Sequence, residues 1–326
     1  MPTTPAARQS LPAPAVLVPL VTPVEPGGRP DLQSLGSLVD FVIAAGVDGV
    51  LVLGSSGEAA GFPAVVRQEI ATHVVGHVAG RVHVMVGVPP AGAGDQIEHV
   101  RAVSSVGPDS ILVTAPIGLD VSPAEVTRQF EAVSAVAEAP VVAYEVPGRV
   151  GVSLGVPVIR DLAARGVVAG LKDSSGNLGK GRQIAVATRD IDGFVRYTGT
   201  ETSIDSELAA GYDGSIPGIA NVFPDFSVEV SRRHAAGDPD GARRVQDAVV
   251  ELLDLYSHPV PDGSVTSGFL ATVKTALVQL GVIATVGVTR PLTPADPAVT
   301  SHVARVLARA DELRGALGMG GVATRG

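Results

Sequence analysis

The chain has 326 residues, no cysteine and a net charge of −9, and 45% of its residues are hydrophobic. That length and apolar content specify a folded globular protein of one large domain or two ordinary ones. The missing cysteines exclude disulfides, thiolate nucleophiles and Cys-ligated zinc, and an acidic chain without a Lys/Arg run is repelled by nucleic-acid phosphate.

The opening MPTTPAARQSLPAPAVLVPLVTPV is apolar in part, but prolines interrupt it. Its charged n-region is weak, and it shows no convincing small-residue cleavage site. No run reaches the roughly 18 apolar residues that span a bilayer. The expectation is a soluble, cytoplasmic protein with no membrane partner. Residues 1–13 read as a flexible leader and residues 319–326 as a flexible tail.

From residue 15 onward, apolar runs of strand length recur: AVLVPLVT (15–22), VDGVLVLG (47–54), RVHVMVGV (81–88), DSILVTA (109–115), PVVAYEV (140–146), VVAGLK (167–172), GFVRYTG (193–199) and DGSIPG (213–218). Most are nearly continuous in apolar character, as in parallel strands covered on both faces. The last two carry a weaker signal. Helical segments alternate with them over 31–45, 63–79, 94–106, 123–137, 154–165, 177–189, 202–211 and 221–235. Asp31 and Ser122-Pro123 are good helix starts, and Gly46 is a helix stop.

Eight βα units predict an α/β fold, a closed (β/α)8 TIM barrel over 14–236. The competitor is an open doubly wound sheet, whose first strand often leads into GxGxxG; here it leads into VTPVEPGGRPD. Beyond 236 only helices follow, at 240–257, 264–281 and 296–316. They form a C-terminal helical extension, 237–318.

In such barrels chemistry sits at the C-terminal strand ends. Strand 2 ends in GSSGE (54–58), strand 5 in YEVPGR (144–149), strand 6 in Lys172 and strand 8 near Ile216. An ammonium at the end of a buried strand is costly unless its stem reaches water or its amine has work to do. An amine in a partly dry mouth attacks carbonyl carbons and forms a Schiff base, whose enamine makes or breaks a C–C bond. Carbinolamine formation needs a proton carrier, and Tyr144 lies one strand away. Ser55 and Ser56, with the backbone N–H groups around Gly57, suit a carboxylate. Arg149 offers a bidentate fork for a second one.

Each residue alone has a plainer reading. Tyr144 is equally a core tyrosine with a satisfied hydroxyl. GSSGE is a strand-to-helix turn with Glu58 near the helix start. Arg149 is a surface ion pair. Their joint placement on strands 2, 5 and 6 favours chemistry. His73 and His77 have i,i+4 spacing but no third ligand nearby, so no metal site is expected.

From about residue 14 to 316 the chain resembles the dihydrodipicolinate synthase / N-acetylneuraminate lyase family. The resemblance rests on VPLVTPV, GSSGE, YEVPGR, GLKDSSGNL, GSIPGIANVFP and VKTALVQLG…TRPLTP, in that order. It implies a class I, Schiff-base-forming barrel acting on pyruvate or a related 2-oxo acid and an aldehyde, as a homodimer or homotetramer, with no metal or organic cofactor. It further implies that Lys172 forms the imine, Tyr144 is the catalytic phenol, Ser55 relays protons, and Ser56 and Gly57 hold the pyruvate carboxylate. The backbone of Ile216 would line that pocket, and Arg149 would hold an acidic aldehyde.

Departures are visible. Family synthases carry a tyrosine pair after strand 4, one of which enters the neighbouring subunit's site; here Ile117 and Gly118 stand near those places. Glu145 replaces the usual Asn, adding a possible negative charge near the mouth. Both usual loop threonines are serines. The leading expectation is an aldolase or lyase of the imine type. A true 4-hydroxy-tetrahydrodipicolinate synthase, using aspartate semialdehyde, is the alternative within the family. A 2-oxo-acid-binding barrel without turnover is the alternative of another class.

Overall fold

The computed structural model describes residues 10–320. Eight parallel strands close into one barrel: β1 (Ala15–Pro19), β2 (Gly49–Val52), β3 (His83–Gly87), β4 (Ser110–Thr114), β5 (Val141–Glu145), β6 (Gly170–Asp173), β7 (Val195–Thr198) and β8 (Gly214–Ser215). Closure is made by β1 on β8, with Ala15 opposite Gly214 and Val16 opposite Ser215. That pairing eliminates the open-sheet alternative.

The helices are α1 (Leu32–Ala44), α2 (Ala64–Val78), α3 (Ala93–Ser104), α4 (Pro123–Val136), α5 (Pro147–Val150), α6 (Val156–Ala164), α7 (Leu178–Thr188), α8 (Ile204–Ala209) and α9 (Pro224–Ala235). The C-terminal extension supplies α10 (Pro239–Leu252), α11 (Val265–Gln279) and α12 (Val299–Leu317). The expected starts are real: Asp31 accepts a hydrogen bond from Ser34 N, and Ser122 and Glu125 form a capping box.

Three expectations need adjusting. The single-turn α5 was not expected; Pro147 fixes its first φ and Gly151, at φ 74°, ends it. The helix expected over 202–211 is α8, only 6 residues long, because a 3-10 turn at Glu201–Ser203 takes up its start. The eighth strand is 2 residues.

Strand residues alternate between two cores. Outward ones meet the helices. Inward ones, among them Leu17, Leu51, Met85, Leu112, Val142 and Tyr197, fill the barrel. Leu11 and Pro12, which fall in the expected leader, are packed into this interior. Leu11 is buried, and Pro12 O accepts the Tyr197 hydroxyl proton at 2.7 Å. Gly170 makes the room, since a Cβ there would lie 2.7 Å from Leu11 Cδ1. Residues 1–9 of the leader and 321–326 of the tail lie outside the described residues.

Candidate active site

Lys172 and Tyr144 are register partners on β6 and β5, and both point into the barrel near its C-terminal end. Both are buried, and Lys172 Nζ sits 4.7 Å from the centroid of the Tyr144 ring. The amine is thus held over an aromatic face in a largely dry place. Gly199, at the end of β7, keeps the space open: a Cβ there would crowd Lys172 Cε at 3.3 Å and collide with Ser174 Oγ.

Burial alone would raise the Tyr144 pKa. The Lys172 ammonium, the Ser174 and Ser55 hydroxyls and the Arg149 guanidinium outweigh it, so the phenol ionises more readily than an ordinary tyrosine. This group therefore has both hydroxyl partners and a charge partner.

Ser55 and Ser56 follow β2 in a loop bracketed by two left-handed residues, Leu53 (φ 58°) and Glu58 (φ 56°). Non-glycine residues in that region cost energy and persist only where their surroundings enforce them. Glu58 supplies the enforcement. Its carboxylate accepts from Lys274 Nζ at 2.5 Å, Thr289 N at 2.6 Å and Thr289 Oγ1 at 2.9 Å. Lys274 lies on α11 and also donates to Gly287 O. Both partners of this pair are buried. Glu58 does stand at the start of a 3-10 turn, Ala59–Gly61, but its side chain does not cap it; it ties the serine loop to the C-terminal extension.

Lys172, Tyr144, Ser55, Ser56, Arg149 and Ile216 line one cavity of about 560 Å3. The seventh expected residue, Gly57, does not line it; its N–H donates to Gly54 O at 3.1 Å and its carbonyl accepts from Thr22. Gly57 shapes the turn, and a Cβ on it would press on the backbone of Leu53 and Leu20. The Ile216 N–H is committed to Thr198 O. Arg149, on α5, is exposed at the rim, where Thr266 Oγ1 lies 3.4 Å from it and no carboxylate among the described residues pairs with it.

Glu145 adds no charge to the mouth. It points outward from the barrel and is buried, accepting from Ser153 Oγ and Leu154 N at 2.7 Å each and from Lys180 Nζ. The alternation of β5 explains it: Tyr144 faces in, so Glu145 faces out.

The sequence reading missed Glu201, which lines the cavity just after β7. Its Oε1 accepts from Ile219 N and from the Tyr256 hydroxyl, the latter at 3.1 Å. Burial raises its pKa above the usual carboxylate range, opposed by those bonds and by Lys172. The strand-end rule applied to YTGTE would have found it. Tyr256, Phe269 and Val260 close the same cavity from the C-terminal extension. His73 and His77 stack on one another, His77 bonds Asp40, and no group of three or more His, Asp or Glu side chains fit to hold a metal occurs among the described residues.

A barrel with an amine, a phenol and a hydroxyl loop at one mouth has known relatives. The Dihydrodipicolinate synthetase family model matches residues 13–310. The chain belongs to that family. The 4-hydroxy-tetrahydrodipicolinate synthase of Laribacter hongkongensis is 30% identical over 298 residues, covering 90% of this chain and 98% of the relative. That of Nitrosospira multiformis is 31% identical over 284 residues, covering 85% and 89%. Among solved structures, YagE, a prophage protein of this family from E. coli K12 solved in complex with pyruvate, superposes with a TM-score of 0.83 at 27% identity, covering 92% of this chain and 98% of that one. This member of the dihydrodipicolinate synthetase family is a lyase of the class I aldolase type, acting on pyruvate or a related 2-oxo acid. No helix among the described residues is long and apolar enough to cross a membrane.

Proposed function

We propose that Lys172 is the imine-forming residue, and that the enzyme joins a 2-oxo acid to an aldehyde or splits the corresponding adduct. The observation that carries this reading is Lys172 Nζ over the Tyr144 ring inside a cavity that also holds Ser55 and Ser56. The neutral amine attacks the keto carbon of the 2-oxo acid. Tyr144 carries one nitrogen proton to the oxygen and then gives up its own, so that the oxygen leaves as water and a protonated imine remains. The neighbouring carbon then loses a proton, giving an enamine whose electrons attack the aldehyde carbon, while the new alkoxide takes up a proton. Water hydrolyses the product imine and returns the free amine.

Ser55 passes protons to and from Tyr144. Ser56 holds the 2-oxo-acid carboxylate, with Gly57 keeping the turn tight behind it and the backbone of Ile216 forming the opposite wall. Arg149 meets a carboxylate on the aldehyde. The lowered Tyr144 pKa supports the relay, because a phenol nearer neutrality moves protons both ways with less bias. We assign the enzyme to the cytoplasm and to a homodimer or homotetramer; the exposed Leu119 beside Ile117 supports self-association, which light scattering measures.

Borohydride reduction in the presence of pyruvate, read by intact mass and peptide mapping, tests the reading. It predicts a reduced pyruvyl adduct on Lys172. A folded sample that forms no adduct with pyruvate or longer 2-oxo acids removes it.

A further inference from the structure

A second cavity of about 410 Å3 adjoins the first and shares Ser55, Tyr144, Arg149 and Thr266 with it. Arg290, between α11 and α12, also lines it. The Glu58 clamp sets the base of this arginine, because the preceding Thr289 donates to Glu58 through both its N–H and its hydroxyl. Arg149 and Arg290 are exposed, and neither guanidinium lies within 4.0 Å of a carboxylate among the described residues. The one carboxylate lining the cavity is Glu58, and both its oxygens are spent on Lys274 and Thr289. The space therefore has two positive charges on its walls and no free anion to meet them. The wall from β3 and β4, with Val88, Leu112 and Ile117, is apolar.

From this geometry we infer that the aldehyde partner carries two negative charges at its far end, as two carboxylates or as a phosphate monoester, and that Arg290 selects for the second charge. The inference rests on the imine reading above. An aldehyde that reaches the enamine past Tyr144 and Ser55 runs its short chain along Val88, Leu112 and Ile117. Its tail then ends between Arg149 and Arg290. Each guanidinium is a planar fork of donors that suits a carboxylate or a phosphate. Thr266 accepts from Arg149, which leaves its own hydroxyl proton for the anion. An ammonium on the same chain would meet two like charges.

The test has two layers on the same protein. Borohydride trapping with pyruvate first establishes the adduct on Lys172; its absence overturns the imine reading and this inference together. Condensation is then compared for three aldehydes that differ only at the carbon bearing the carboxylate: 4-oxobutanoate, its carboxymethyl derivative (2-oxoethyl)succinate, and aspartate semialdehyde. D-glyceraldehyde 3-phosphate is compared with D-glyceraldehyde in parallel. The expected result is kcat/KM at least about 10-fold higher for the dianion of one pair or both, the scale of one charge-assisted contact, with aspartate semialdehyde the slowest of the three. A gain in the first pair names a dicarboxylate and a gain in the second a phosphate. No gain in either pair, with trapping intact, overturns the inference and leaves the imine reading standing.

Arg290→Gln is expected to remove the gain, with the Lys172 adduct reporting that the site still folds, and Arg290→Lys to restore part of it. The gain should also shrink as salt is raised, because both guanidiniums are exposed. A gain that survives Arg290→Gln in full overturns the inference.

Discussion

From β5 round to β8 the barrel mouth presents a phenol, an amine and a carboxylate, with a guanidinium on the rim, and Lys172 acts on both of the others. Round β3 and β4 it presents mainly aliphatic side chains and prolines, and the Thr114 hydroxyl there is turned to Gln96. The first side is constrained as a set, because each group sets the protonation of the next. The second side is constrained mainly by volume and dryness. Changes on the second side therefore alter what reacts, while changes on the first alter whether anything reacts.

Two buried carboxylates, Glu58 and Glu145, brace the mouth through internal ion pairs. Glu58 is held by Lys274, and both side chains are 0–1% exposed. Glu145 is held by Lys180, which is 15% exposed. The two clamps differ in what removal leaves behind. Without Glu58 the Lys274 ammonium stays buried beside an apolar core, whereas Lys180 can turn to water.

Lys172→Ala breaks the reactive side outright: the borohydride adduct with pyruvate should vanish, and an adduct persisting in that variant would refute the assignment. Tyr144→Phe should slow imine formation by about 10²–10⁴-fold, as expected for loss of a positioned proton carrier. It should also erase the basic limb of the pH profile. That limb belongs to a phenol whose pKa is held down, so proton donation is lost at a lower pH than for an ordinary tyrosine. Stopped-flow trapping across pH checks both points.

Glu58→Gln should destabilise the fold by about 3 kcal/mol, the cost of stranding a buried ammonium. Glu145→Gln should cost roughly 1 kcal/mol, the scale of a hydrogen bond rather than a stranded charge. Thermal unfolding of the two variants side by side measures the gap, and equal shifts would erase the distinction between the clamps. Glu201→Gln is the mildest change. Because burial raises the Glu201 pKa, its protonation reaches into higher pH than an ordinary carboxylate, and the variant should lose the acid-side limb of kcat/KM while retaining the Lys172 adduct.

Much of this was legible in the sequence. Continuous apolar runs located all eight strands, and the strand-end rule placed Lys172, Tyr144, Ser55 and Ser56 at one mouth. Legibility failed where the partner lies far along the chain. The Glu58–Lys274 pair joins residues 216 apart, and no local pattern announces it. Tyr256 and Phe269 reach the cavity from helices whose own periodicity speaks only of packing. Glu201 was passed over because it falls between the seventh strand run, 193–199, and the helix expected from 202. Glu145 misled because its neighbour in sequence faces the cavity, although alternation along β5 sends it the other way.

The closure of β1 on β8 has a consequence for how the protein is made. Leu11 and the edge of β1 leave the ribosome well before Gly170, Tyr197 and Gly214, which complete their surroundings. At the roughly 5–20 residues per second of synthesis, β1 waits on the order of ten seconds or more with an unpaired edge. Lys274, which sets the serine loop, emerges later still. A nascent chain thus has to protect the outer edge of β1 until β8 emerges, and the serine loop gains its Lys274 brace only after that.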